Sequence, residues 1–161
     1  MFFLLVAFAL SSAFAAEGIE KKIELLPAFV GADEVSPSAV SQWMTKVGIT
    51  KAKTFDDGDF IVEIEGKKIL IGFNKTDISL SSSWQATEGT SDNRRFRFAH
   101  NMSKDYKFVQ VSFPNSDSMR IEHSVDMENG VSPRQFVSTL LRFATGVKIV
   151  VGKANEEDLL D

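Results

Sequence analysis

The order of patterns along this chain predicts an α+β fold, with helices packed on one face of an antiparallel sheet. Three observations carry that reading. Segments 35–48 and 131–146 both open on Val-Ser-Pro and then place apolar residues at helical spacing. Segments 51–87 and 107–127 alternate apolar and polar residues and break at Gly, Asn and Asp turns. The blocks run helix, strand meander, helix, hairpin, helix, a segregation that suits α+β architecture.

Size and charge bound the rest. The chain has 161 residues, 43% of them hydrophobic, which is room for one domain with a real core. Its 18 Lys and Arg against 22 Asp and Glu leave a net charge of -4, the wrong sign for a dedicated nucleic-acid binder. Cysteine is absent. That excludes disulfide scaffolds, thiolate metal sites, cysteine nucleophiles and lipid anchoring through an N-terminal Cys.

Residues 1–15 hold no charge, and residues 1–10 are an unbroken apolar run. No Lys or Arg precedes it, so only the amino terminus supplies positive charge. Ala13 and Ala15 put small residues at the -3 and -1 positions of a cleavage site. The reading is a signal peptide cut between Ala15 and Ala16; the alternative is a buried N-terminal strand or helix. The run is too short to span a bilayer, so no transmembrane segment remains after cleavage. An exported, cysteine-free protein of this size fits a bacterial periplasm, or secretion, better than a eukaryotic extracellular space. The triplets Asn74-Lys75-Thr76 and Asn101-Met102-Ser103 are read as chance sequons.

Residues 16–34 form a charged lead-in. Ile19, Ile23 and Leu26 have helical spacing up to Pro27, although a tether fits equally. The first clear helix follows: Ser36 is its N-cap, Pro37 its first residue, and Val35 and Val40 form a hydrophobic staple. Val40, Trp43, Met44 and Val47 make one stripe, which marks Trp43 as a core anchor, and Gly48 ends the helix. The meander turns at Asp57-Gly58 and Glu65-Gly66, with residues 76–87 as its fourth strand. Residues 90–105 fit both periods; the spacing of Phe98 with Met102, and the caps before them, favour a helix. Residues 107–113 and 119–127 form a hairpin around Pro114-Asn115-Ser116-Asp117. The last helix repeats the first design, with Val131, Ser132, Pro133, Gln135 as capping-box partner and Phe136 as staple partner. Phe136, Val137, Leu140, Phe143 and Ala144 form its inner face, and Gly146 is expected to end it. Val147, Ile149 and Val151 would then add an edge strand. The domain is expected to span 35–151, with residues 152–161 as an acidic, frayed tail.

From Lys107-Phe108 through the Pro-Asn-Ser-Asp turn to Met119-Arg120-Ile121-Glu122 and Glu128-Asn129-Gly130-Val131-Ser132, the chain resembles the YbjN domain family. Asp56-Asp57-Gly58 and the strands after it fit the family's opening strands, so the resemblance covers about 35–144. The family has an Asn-x-x-Asn-like pair and a Trp near the end of its middle helix. Here Asn101 matches the first Asn, Lys104 stands in place of the second, and the Trp is missing. Family members are described as regulators of sensory transduction. The resemblance implies a fold like that of type III secretion chaperones, which are non-enzymatic, often dimeric, protein-binding modules. It therefore implies a protein partner, with a homodimer also compatible.

The candidate chemistry is sparse. His100 and His123 are the only histidines, too few for a zinc site without other ligands, and His123 lies on the apolar parity of its strand. No Gly-x-Ser-x-Gly elbow accompanies the many serines. Asp56, Asp57 and Asp59 surround Gly58 without calcium-loop spacing and read as a turn. No catalytic residue, metal site or cofactor is assigned. Arg94, Arg95 and Arg97 form the one dense basic cluster. With Asn101 they are the candidate contact residues, able to grip an anionic small molecule or an envelope glycolipid. Phe96, Phe98, Phe108 and Phe113 are numerous for one region, and this surplus, like the sheet edges, suggests a surface for another chain.

Overall fold

The computed structural model describes residues 18, 19 and 21–161, so the expected signal peptide and its cleavage point lie outside the described residues. Helix α1 (Pro37–Val47) leads into four strands, β1 (Lys51–Thr54), β2 (Phe60–Ile64), β3 (Lys67–Phe73) and β4 (Asp77–Gln85). Helix α2 (Asp92–Asp105), the hairpin β5 (Gln110–Asn115) and β6 (Ser118–Asp126), and helix α3 (Pro133–Glu156) complete the fold. The strands make one six-stranded antiparallel sheet in the order β1-β2-β3-β4-β6-β5. The crossover through α2 leaves β5 at one edge and β1 at the other.

Register sets the two faces of the sheet. Phe60 pairs with Ile71 and Val62 with Ile69, Ile71 continues to Leu80, and Ile121 joins from β6. All of these are buried beneath α3, which packs on β3, β4 and β6 and carries α1 against its side. The opposite parity presents Glu63, Lys68, Ser79, Ser81, Ser83, Arg120 and Glu122. Trp43 is buried, the core anchor the sequence expects, and meets Phe136 edge-on at 6.2 Å, joining the two helices. Ser36 Oγ accepts from the Ala39 amide and Ser132 Oγ from the Gln135 amide, so both Val-Ser-Pro starts are true caps.

Two expectations at the C-terminus are corrected. Gly146 does not end α3, and Val147, Ile149 and Val151 form no strand. The helix runs on to Glu156 because Val147, Val150, Val151 and Ala154 continue the buried stripe at helical spacing. Gly146 is instead a point of close approach, since a Cβ there would stand 2.9 Å from Val109 Cγ1. The acidic end is not frayed either. Leu159 is buried, its carbonyl accepts from the Thr87 amide, and Leu160 bridges to Ala86.

The lead-in is docked to the body. Val30 and Val131 exchange backbone hydrogen bonds, and Arg134 Nε donates to the Leu26 carbonyl at 2.8 Å. The crossing depends on Gly130. Its φ is +91°, and a Cβ there would lie 2.5 Å from the Val30 oxygen and 2.4 Å from the Phe29 ring. No side chain fits that crossing.

Both sheet edges are defended against strand addition. β1 is short, exposed and bulged, with Lys51 and Lys53 lying over aromatic rings. On β5 the Val111 amide already donates to Ser103 Oγ of α2, and Pro114 has no amide to offer. These features act against edge pairing, which the sequence raises as a route to another chain.

Candidate functional site

Helix α2 is amphipathic with two positions inverted. Its inner face reads Arg95, Phe98, Met102, and Phe98 meets Phe113 of β5 edge-on at 6.4 Å. The first inward residue is therefore a cation, 5% exposed. One Arg95 Nη donates to the Thr87 carbonyl at 3.2 Å, and the other stands 3.7 Å from Asp92, whose carboxylate lies fully in solvent. Among the described residues the Nε has no hydrogen-bond partner. A buried guanidinium so thinly satisfied is costly, because an exposed acid at that distance repays little of its lost hydration.

The next residue inverts the pattern the other way. Phe96 is 70% exposed and stacks on His100 one turn later, ring centroids 6.2 Å apart. Of the four phenylalanines in surplus, Phe98 is buried, Phe108 and Phe113 pack against the core, and Phe96 alone is left out. Arg95, Phe96 and His100 share a cleft of about 810 Å³ with Ser103, Ser112 and Phe113, between α2 and the β5 edge.

The structure divides the predicted arginine cluster. Arg94, Arg97 and Asn101 line a separate hollow of about 420 Å³ on the other side of α2. There the Arg94 guanidinium donates to the Glu157 carbonyl of the docked C-terminus. Arg95 is not part of that hollow. The three arginines do not converge on one ligand, because neighbouring positions on a helix point about 100° apart. The missed distinction had a sequence signal: three residues back along the Phe98–Met102 stripe lies Arg95.

The histidines are also kept apart. His100 lies in the α2–β5 cleft, whereas His123 borders the space between β6 and α3. His123 stacks on Phe108 at 4.3 Å, and the Arg142 guanidinium covers the same Phe108 ring at 4.6 Å. Burial holds its imidazole below the usual value of 6.5; a hydrogen bond with the Phe108 backbone opposes this, and Arg142 adds to it. His123 is thus a half-buried packing residue. The aspartates around Gly58 make a turn: Asp57 accepts from the Asp59 amide and Asp59 from the Phe73 amide. Among the described residues no group of three or more His, Asp or Glu is placed to hold a metal ion. None of their helices is long and apolar enough to cross a membrane.

Comparison with solved structures decides the architecture. The chain superposes on YbjN from E. coli with a TM-score of 0.68 at 14% identity, covering 79% of this chain and 96% of that one. The fold is that of YbjN. An uncharacterised protein from Methanothermobacter thermautotrophicus matches at TM-score 0.57 and 14% identity, over 77% of this chain and 99% of that one. The type III secretion chaperone SycH of Yersinia pestis, solved in complex with a stable fragment of YscM2, matches at 0.50 and 14%, over 70% and 98%. No family model matches the sequence, and no curated protein does. The YbjN-like fold expected from the hairpin and last helix is therefore present, with the chaperone likeness.

Proposed function

We propose that this chain is a non-enzymatic, protein-binding regulatory or chaperone-like module that works after export to the periplasm or the medium. The observation that carries the reading is the exposed Phe96–His100 pair bordering the α2–β5 cleft. An aromatic residue held in solvent on a helix whose inner face is already filled gains nothing for folding, and such anchors serve interfaces. SycH, which shares the fold, was captured with a protein fragment, and this supports a protein partner. The net charge of -4 favours a protein over nucleic acid. The separation of His100 from His123, with His123 committed to its stack, supports a non-catalytic role. The apolar run over residues 1–10 and the lack of charge up to residue 15 support export with cleavage at Ala15–Ala16.

The test is a photo-crosslinking residue placed at position 96 of the full-length chain in cells, with position 81 on the open sheet face as control. Mass spectrometry identifies the adducts and the mature N-terminus. The expected result is one or two envelope proteins joined at 96 and not at 81, with Ala16 as first residue. Equal labelling at both positions overturns the binding surface. An intact Met1 with cytoplasmic adducts overturns export. Adducts with a second copy of the chain alone replace the heterologous partner by a homodimer.

A further inference from the structure

We infer that the α2–β5 cleft selects a partner segment bearing an acidic side chain next to an apolar one, the carboxylate being received by Arg95. This rests on the protein-binding reading of the same cleft and adds the chemistry of what it binds. Three observations converge. Arg95 lines the cleft at 5% exposure, and its Nε is buried with no hydrogen-bond partner among the described residues, so a strong, planar donor group is held beside the cleft incompletely satisfied. Its acidic neighbour among the described residues, Asp92, is a loose stand-in at 3.7 Å that a better-placed carboxylate displaces at little cost. The walls beside it offer the exposed Phe96 ring and Phe113 for an apolar residue and the Ser103 and Ser112 hydroxyls for polar groups. Because Ser103 already takes the Val111 amide, the β5 edge offers one donor fewer for strand pairing, which favours recognition through side chains. Guanidinium to carboxylate is the strongest such contact available, since a desolvated charged hydrogen bond discriminates sharply against its neutral analogue.

The experiment selects a randomised peptide library against the full-length protein, then measures the best peptide with its acid intact and with Glu→Gln or Asp→Asn. Enriched sequences are expected to pair Asp or Glu with an aromatic or aliphatic neighbour. The amide version should bind about thirtyfold more weakly or worse, and Arg95→Met should erase the difference between the two peptides. Phe96→Ser, at an exposed position where the effect on stability is expected to be small, should weaken both peptides alike. Arg95→Lys, which keeps the charge and loses the fork, should retain only part of the discrimination, and it replaces Arg95→Met if that variant melts early. Tight peptides that ignore the acid, or discrimination that survives Arg95→Met, overturn the Arg95 assignment and leave protein binding intact. No enrichment at all overturns both. Displacement of the peptide by succinate or decanoate as strongly as by the acidic peptide itself overturns the peptide assignment in favour of a small carboxylate.

Discussion

Helices α2 and α3 obey the same rule of amphipathicity and diverge at two residues. In α3 every turn sends an apolar side chain inward, from Phe136 through Val147 to Ala154, over 24 residues. In α2 the inward face begins with Arg95 while Phe96 stands in water. Both inversions act against folding, and they are adjacent in sequence and open on one cleft. A helix that only needed to fold would not carry them. The contrast separates the part of the molecule that makes the core from the part that has something else to do.

The largest effects should fall on α3. Phe143 is fully buried, so Phe143→Ala should cost about 3–5 kcal/mol in urea unfolding. Phe96→Ala, at a position of α2 that is set in solvent, should change stability by about 0.5 kcal/mol or less. Binding is expected to show the reverse order for these two. A Phe96→Ala protein that loses several kcal/mol would mean that α2 is a core helix like α3, and the contrast would collapse.

Arg95 sharpens the same contrast. Replacing a thinly satisfied buried cation by an apolar side chain of similar length should leave stability unchanged or raise it by up to about 2 kcal/mol. Arg95→Met is therefore expected to melt no earlier than wild type while losing discrimination for acidic partners. A strong loss of stability would show that the contact with the Thr87 carbonyl is a structural tie and that Arg95 belongs to folding.

Most of the fold was legible because it rests on local signals. The Val-Ser-Pro caps, the Asp57-Gly58 and Glu65-Gly66 turns and the two-residue alternation each locate an element without help from the rest of the chain. The failures came where a distant contact decides. Gly146 reads as a helix end because glycine usually is one; here Val109, brought in by the β5 connection, requires a residue without a side chain. The acidic C-terminus reads as frayed because charge predicts solvent, yet Leu159 and Leu160 tie it to the strand end at Ala86 and Thr87. The candidate site was half legible. The arginines were visible as a cluster, but which one turns inward depends on the helix phase set by Phe98 and Met102.

The two glycines of α3 make a smaller internal test. Gly152 has open space where a Cβ would go, so Gly152→Ala should gain about 0.5–1 kcal/mol from helix propensity alone. Gly146→Ala gains the same propensity but drives a methyl into Val109, and overpacking should leave a net loss of about 1 kcal/mol. Chemical denaturation of the two variants should move the midpoint in opposite directions. If both gain, the close approach at Val109 is relieved by a small shift, and Gly146 is not required there.

The smallest effect concerns His123. Its imidazole is held below 6.5 chiefly by burial, so the unfolded chain binds the proton more readily than the folded one. The stability it contributes is present above that value and is lost as pH falls through the lower, folded one. Other groups also respond to acid, so the measurement must be a difference. His123→Phe removes the titration and keeps a ring stacked on Phe108. Between about pH 7.5 and about pH 5, wild type should lose more stability than this variant. Equal losses would mean that the folded imidazole takes up its proton freely, and that burial and Arg142 do not restrain it.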